Sequence, residues 1–259
     1  MTSTRLKTSI VYPDTDGAPM AESDIARDYL IYSVETLSLY FQERKDVYVS
    51  GNLFIYNEKG VPDAVVAPDA FVIFGVSNRQ RMSYKVWEEG GKMPDFILEI
   101  TSSSTRNQDQ VEKPQKYARM RVAEYFQYDP SGDYLQPQLK GSHLVEGKYQ
   151  PMQAEVREEG ILSIHSQVLG LDLRLVEGKL RFYEPQTGKK LLSYKEIELA
   201  RQQAESARQQ AEQEREAEAR SRREAIPRLM EMGLSLEQVA AALGLSVQEV
   251  SQYIESQLG

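Results

Sequence analysis

The segment PDFILEITSSST, residues 94–105, constrains the fold of this chain more than any other. Its apolar run is rich in strand-forming residues and carries one carboxylate, Glu99, in its interior. A buried strand rarely keeps an ionisable side chain unless that side chain has a partner or binds a metal ion. We therefore expect a buried β-strand in which Glu99 has a defined chemical or structural role.

A second stretch, VVAPDAFVIFGV at residues 65–76, repeats this pattern with Asp69 directly after a proline. Two strands that each present one carboxylate can supply oxygen ligands to a hard divalent cation such as Mg²⁺ or Mn²⁺. Pro-Asp pairs also start turns, and a glutamate near a strand end is ordinary. The residues alone therefore leave both a metal site and a structural role open for Asp69 and Glu99.

Composition excludes several kinds of site. The 259 residues are 41% hydrophobic, which is ample for a core. With no cysteine and two histidines, the chain cannot form a disulfide or a thiolate zinc site, and it cannot build a histidine-rich metal centre. The Ser/Thr run after Glu99 has no GxSxG context, which argues against a serine hydrolase.

The net charge of −8 is unevenly distributed. Residues 196–259 contain 7 Arg, no Lys and 12 Glu, so the remainder is closer to neutral. Charge therefore does not decide whether the chain binds nucleic acid. No apolar run approaches the ~20 residues of a membrane span, and the N-terminal MTSTRLKTSI lacks the apolar centre of a signal peptide. We expect a cytoplasmic protein without a membrane partner.

Periodicity predicts a mixed α/β domain over residues 21–195, after an irregular arm at residues 1–20. The pattern predicts a first helix over residues 21–42 with Ser23 as its N-cap, and a second helix from Val111 or Pro114 to Arg121. Glycine-separated segments between residues 134 and 184 predict hairpins. The other predicted strands span residues 47–56, 65–76, 83–87, 97–101 and 124–128.

The tail is different in kind. Arginine recurs every seven residues over residues 196–226, and alanines fall at heptad-like spacing, which predicts either a thin coiled coil or a solvated single helix. Residues 227–259 resemble a helix-turn-helix of three short helices, with Ser235 and Ser246 as N-caps. Residues 247–255 carry no Lys or Arg, which favours packing or self-association into a homodimer or higher oligomer over DNA reading.

From Ala21 to Ser193 the chain resembles the Uma-two-type family of restriction-endonuclease-like nucleases. The resemblance rests on segments in the family's order and spacing: AESDIARDYL, DVYVSGNLFIY, APDAFVIFGV, RMSYKVWEEG, PDFILEITSSST, DQVEKPQKYA, AEYFQYDP, LGLDLRL and GKLRFYEPQTGKKLLS. It implies a restriction-endonuclease-like mixed sheet flanked by helices, similar to the PD-(D/E)xK nucleases. It also implies a metal-dependent enzyme that hydrolyses phosphodiester bonds in DNA.

The resemblance also implies roles for individual residues. The family's metal-binding aspartate and glutamate fall on Asp69 and Glu99. Most PD-(D/E)xK enzymes carry a lysine two residues after the glutamate, where this chain has Thr101. The family uses a lysine of the following helix instead, which falls on Lys113. Independently of the resemblance, Glu35 in the first predicted helix is either a solvated glutamate or a carboxylate that frames the edge of the metal site.

A helix through residues 109–117 would place Asp109, Lys113 and Tyr117 on one face, because they are spaced by four. Two features depart from the family pattern. Pro114 indicates that the helix begins at Lys113, and Ala26 stands where the family often has histidine. These departures keep an alternative open: a catalytically inactive nuclease fold that binds nucleic acid or a protein partner.

A basic segment before Trp87 contains Arg79, Arg81 and Lys85. These side chains could contact the phosphates of a nucleic acid, and a solvated loop is the alternative interpretation.

Overall fold

The structure is a computed structural model that describes residues 10–13, 23–101, 111–133 and 135–258. The chain divides into two compact units, Met1–Tyr194 and Lys195–Gly259. The predicted four-part division of the chain at residues 20, 195 and 226 stays a prediction.

The first unit is built on a six-stranded mixed sheet. Its strands are β1 (Val47–Ser50), β4 (Ala70–Phe74), β6 (Phe96–Ile100), β7 (Glu124–Tyr128), β8 (Leu139–Val145) and β9 (Lys148–Pro151). Across the sheet their order is β1-β4-β6-β7-β8-β9; β6 and β7 are parallel, and every other neighbouring pair is antiparallel.

Two smaller sheets accompany this central sheet. One has four antiparallel strands: β10 (Glu155–Val156), β11 (Leu162–Ser166), β12 (Leu171–Val176) and β13 (Lys179–Tyr183). The other has three short strands, in the order β3-β2-β5: β2 (Ile55–Tyr56), β3 (Val65–Val66) and β5 (Tyr84–Lys85).

Helices pack on opposite faces of the central sheet. Helix α1 (Asp24–Tyr40) shares one hydrophobic core with Leu98 and the four-stranded sheet. Helix α2 (Lys113–Arg119) places Tyr117 in a second core with Ile97 and the three-stranded sheet. Because side chains alternate along a strand, Glu99 lies on the same face as Ile97, the face that α2 covers.

Several local predictions are confirmed. The Ser23 side chain accepts a hydrogen bond from the Ala26 N–H and caps α1. Helix α2 begins at Lys113, so Pro114 occupies the first turn, where its missing N–H costs nothing. The strand predicted over residues 124–128 has those bounds as β7.

Two predicted strands are wrong as single strands. The segment 47–56 divides into β1 and β2, and the segment 65–76 divides into β3 and β4, so that each segment contributes to two different sheets. The chain turns at Gly51 and Asn52, whose φ is 48°, and the Asn52 N–H donates to the Pro68 carbonyl at 2.8 Å. Similarly, the segment predicted as a strand over residues 83–87 is strand only in β5, before a 3-10 turn.

Gly51 allows a close approach between β1 and the backbone before β4. A Cβ at this position would lie 2.1 Å from the Asp69 carbonyl oxygen and 2.6 Å from a Val34 methyl of α1. No heavier side chain fits there without moving the backbone that carries Asp69.

We expect Gly51→Ala to lower the free energy of unfolding by about 1–3 kcal/mol, because the added methyl forces backbone atoms apart. Chemical denaturation measures the change. Ser50→Ala on the same strand is the matched control and should alter stability by less than about 0.5 kcal/mol. Equal effects of the two substitutions would show that the contact seen at Gly51 is not tight.

The second unit begins with a long helix. Within α3 (Tyr194–Glu231) every residue from Ile197 to Glu224 is exposed, and the helix continues through Pro227. The prediction of a separate first tail helix is therefore wrong, because that segment is the C-terminal end of α3. Self-association of the tail stays a prediction.

Two short helices complete this unit. Helices α4 (Leu236–Leu243) and α5 (Val247–Leu258) pack with the end of α3 around Ile226, Val239 and Val250. Both predicted N-caps are confirmed: the Ser235 hydroxyl accepts from the Gln238 N–H, and the Ser246 hydroxyl accepts from the Glu249 N–H.

None of the helices in the described part of the chain combines the length and the apolar character needed to cross a membrane.

Candidate active site

A pair of carboxylates lies where β4 and β6 meet. In the antiparallel register Ala70 is opposite Leu98, so one further step places Asp69 beside Glu99. Glu99 is completely buried, whereas Asp69 is half-buried. The Asp69 Oδ2 atom accepts a hydrogen bond from the Ile100 N–H at 2.7 Å, which fixes the aspartate against the strand that carries the glutamate.

The environment of Asp69 disfavours its ionised form. Burial raises the pKa of the Asp69 carboxyl well above its usual 3.8, and the neighbouring Glu99 charge raises it further. The Lys113 ammonium and the hydrogen bond from Ile100 lower the pKa of Asp69 but do not cancel these effects. A side-chain hydrogen bond with Glu99 also raises this pKa, as expected when two carboxyl groups share a proton.

Helix α2 supplies two hydrogen-bond donors to Glu99. The Lys113 ammonium donates to Glu99 Oε2 at 2.9 Å, and the Tyr117 hydroxyl donates to Glu99 Oε1. Both donors reach the same carboxylate because residues four apart share a helix face. Burial and the Glu99 charge raise the pKa of Tyr117 well above its usual value, so this hydroxyl stays a donor at neutral pH.

Asp109, predicted on the same face as Lys113 and Tyr117, lies outside the described residues. Its supporting role stays a prediction.

Thr101 occupies the position two residues after Glu99. It is buried, and its N–H donates to the Tyr128 carbonyl at 2.8 Å, which extends the pairing of β6 with β7. By strand alternation Thr101 lies on the Glu99 face of the sheet. The lysine that contacts Glu99 is Lys113, from the following helix.

Gln127 is a polar neighbour of the site that the sequence analysis missed. In the parallel register of β6 and β7, Gln127 is directly opposite Glu99 and shares its face. The signal was present in EYFQY, because Gln127 interrupts a buried strand as the polar residue between Phe126 and Tyr128.

Glu35 is half-buried on α1. Within the described ranges no hydrogen bond or ion pair joins it to Asp69 or Glu99. Its predicted role in framing the site stays a prediction.

The basic segment before Trp87 is engaged in ion pairs. Arg81 is 4% exposed, contacts both Glu89 carboxylate oxygens at 2.8 and 3.0 Å, and stacks over the Tyr48 ring. A solvated loop is therefore wrong for Arg81. Arg79 also pairs with Glu89 at 2.6 Å, and Lys85 lies 3.9 Å from Glu88. Phosphate binding by these residues stays a prediction without support from this arrangement.

The family model of Uma2, whose description is "Putative restriction endonuclease", matches residues 23–176. The chain belongs to the Uma2 family. No curated protein matches the chain. The matched range of the Uma2 model spans α1, the whole central sheet and the cluster around Glu99. The mixed α/β architecture of this Uma2 protein is of the restriction-endonuclease-like type.

Restriction-endonuclease-like nucleases generally use divalent metal ions, and the Uma2 carboxylates fit such an ion in part. Asp69 and Glu99 are hard oxygen donors held together against their mutual repulsion, which a cation would relieve. Across residues 10–13, 23–101, 111–133 and 135–258, no group of three or more His, Asp or Glu side chains could hold a metal. A divalent ion at this pair would need further oxygen ligands from water or substrate.

The raised pKa of Asp69 predicts a pH-dependent stability. Because the folded protein retains a proton that the unfolded chain releases above about pH 4, wild-type stability falls as pH rises toward the folded-state pKa. In the presence of a metal chelator, Asp69→Asn and the wild type should have the same melting temperature near pH 4. At pH 8 the melting temperature of Asp69→Asn should exceed that of the wild type by about 3 °C for each kcal/mol of destabilisation that the substitution removes.

Thermal melts of both proteins between pH 4 and pH 8 measure this difference. Asp63→Asn, which removes a carboxylate from an exposed position, is the control. A constant difference between Asp69→Asn and wild type at every pH would contradict the shifted pKa.

Proposed function

We propose that this Uma2 chain is a Mg²⁺- or Mn²⁺-dependent DNA endonuclease that hydrolyses phosphodiester bonds. The observation that carries the proposal is the convergence of Asp69, Lys113 and Tyr117 on the buried Glu99 carboxylate. A structural role does not require two carboxylates and an ammonium group to meet at the end of a central strand. Such clusters of groups with shifted pKa values are typical of active sites.

Asp69 and Glu99 are the residues that would hold the metal ion. A bound divalent ion supplies positive charge that polarises the phosphodiester and lowers the pKa of an attacking water. Asp69 is oriented for this by the Ile100 N–H, and Glu99 by the Tyr117 hydroxyl. Both carboxylates are thus fixed before any ligand arrives.

Lys113 is the proposed assistant to the attacking water. Its side chain is 24% exposed, so the ammonium group can reach solvent while it contacts Glu99. A lysine in this position orients the water and stabilises negative charge that develops on the phosphoryl oxygens.

One observation favours a second candidate function, a nuclease fold that binds nucleic acid or a protein partner without cutting. Both Glu99 oxygens already accept hydrogen bonds, from Lys113 and Tyr117. A carboxylate whose oxygens are both hydrogen-bonded can have a purely structural role, as the partner of Lys113 in an ion pair. Binding of DNA without turnover in Mg²⁺ or Mn²⁺ would identify this function.

Cleavage of supercoiled and linear DNA tests the first function directly. We expect wild-type protein to cut with Mg²⁺ or Mn²⁺. Asp69→Asn and Glu99→Gln should each cut about 100-fold more slowly or worse, a loss of about 3 kcal/mol of transition-state stabilisation. The control is Asp95→Asn, which alters a carboxylate at the opposite end of β6 that accepts from the Phe74 N–H. Metal-dependent cutting that survives the double variant Asp69→Asn/Glu99→Gln would refute the assignment.

The position of the lysine gives a second test. Lys113→Ala should slow cleavage about 100-fold while the protein remains folded. Adding Thr101→Lys to that variant should restore part of the rate, because Thr101 lies on the Glu99 face of β6. The single variant Thr101→Lys is the control. It shows how a lysine at this position affects the cleavage rate when Lys113 is still present. If the double variant cuts no faster than Lys113→Ala, the ammonium of Lys113 is needed at its own place on α2.

A further inference from the structure

A groove of about 1050 Å³ runs along the outer flank of α2. One wall is the helix, from Pro114 to Arg119, and the other is the β8–β9 hairpin around Gly147. The β9 edge of the central sheet forms this hairpin, so the groove lies at the rim of the first unit.

Basic side chains line the groove. Arg119, Arg121 and Lys148 are all exposed, and none of them forms an ion pair with a described residue. Among the described residues of the lining, Glu146 is the one carboxylate. The excess of positive charge is therefore local, despite a chain that is acidic overall.

Elsewhere in the first unit, several arginines form ion pairs. Arg79 and Arg81 pair with Glu89, and Arg157 and Arg174 pair with Asp172. The groove cations differ, because no residue in the described part of the chain forms an ion pair with them. Unsatisfied positive charge in a concave surface attracts polyanions.

The groove and the carboxylate pair share helix α2 as a common wall. Helix α2 presents Lys113 and Tyr117 inward to Glu99, and its opposite flank lines the groove. Helix α2 begins at Lys113, which contacts Glu99, and ends at Arg119. Its seven residues correspond to about 10 Å, or about three base pairs of duplex along the helix axis. Arg121, whose φ is 59°, continues the cationic line in the turn before β7.

We propose that this groove binds the sugar–phosphate backbone of a nucleic-acid duplex, a few base pairs from the phosphate held at Asp69 and Glu99. The inference rests on the proposed function, since it gives that site a path for its substrate. Arg119, Arg121 and Lys148 contact successive phosphates. These contacts position the duplex and read no bases, because arginine and lysine on phosphates carry no sequence information.

A charge-neutralising variant tests the groove. The full-length chain carries Asp69→Asn to prevent cutting, and binding to a fluorescent 20-base-pair duplex is measured by anisotropy in EDTA across a salt series. The groove variant adds Arg119→Gln, Arg121→Gln and Lys148→Gln. The matched control instead adds Lys59→Gln, Lys179→Gln and Lys189→Gln, which removes the same charge from exposed positions elsewhere in the unit.

We expect the groove variant to bind about 10- to 100-fold more weakly at 0.1 M salt. Its slope of log affinity against log salt should be smaller by about 0.9 for each lost phosphate contact, close to 3 in total. The control should keep both the affinity and the slope of its parent. Equal losses in groove and control variants, or no duplex binding by the parent, would overturn the inference.

Two further arms separate the alternatives. Polyglutamate that competes with the duplex at equal charge concentration would overturn nucleic acid as the occupant and indicate an acidic protein instead. Wild-type protein that cuts no DNA, with the groove variant still selectively weakened, would refute the nuclease and leave the groove standing. Cutting by the wild type, together with a groove variant that binds the duplex as tightly as its parent, would support the nuclease and refute the groove.

Discussion

The first unit depends on keeping one carboxylate, Glu99, at zero exposure in the middle of its central sheet. An isolated ionised carboxylate in such a place would cost several kcal/mol. Here Lys113 and Tyr117 satisfy its two oxygens, so α2 must begin where it does and pack on that face of β6. The second core, in which Tyr117 is fully buried, thus holds the helix and the polar cluster together.

The position of Asp69 in this arrangement is unfavourable for its ionised carboxylate. It is held beside a like charge in a half-buried position, and its raised pKa records the repulsion and the lost hydration. A stable core would be easier to build without it, and this is the reason why the proposed function assigns a metal-binding role to Asp69. The backbone supports the aspartate through a crowded contact at Gly51, where no side chain fits.

Charge around the site is distributed by pairing, which neither net charge nor local composition reveals. Arg81 stands in a basic stretch of sequence, yet its side chain is covered and paired with Glu89. Arg119, Arg121 and Lys148 are separated along the chain by up to 29 positions and form no notable sequence cluster, yet they line one groove beside α2. The position of each cation relative to acidic groups in space determines which charge remains for a partner.

The sequence alone determined the buried strand around Glu99, the caps at Ser23 and Ser246, and the start of α2 at Lys113, directly before Pro114. These features follow from local rules of hydrophobic patterning, capping and proline geometry, which act within a few residues. It did not reveal that residues 47–56 and 65–76 serve two sheets, that Gln127 lies opposite Glu99, or which arginines are neutralised. Only the tertiary structure decided these, because they depend on strand order and on contacts between residues distant in sequence, for which a local pattern carries no information.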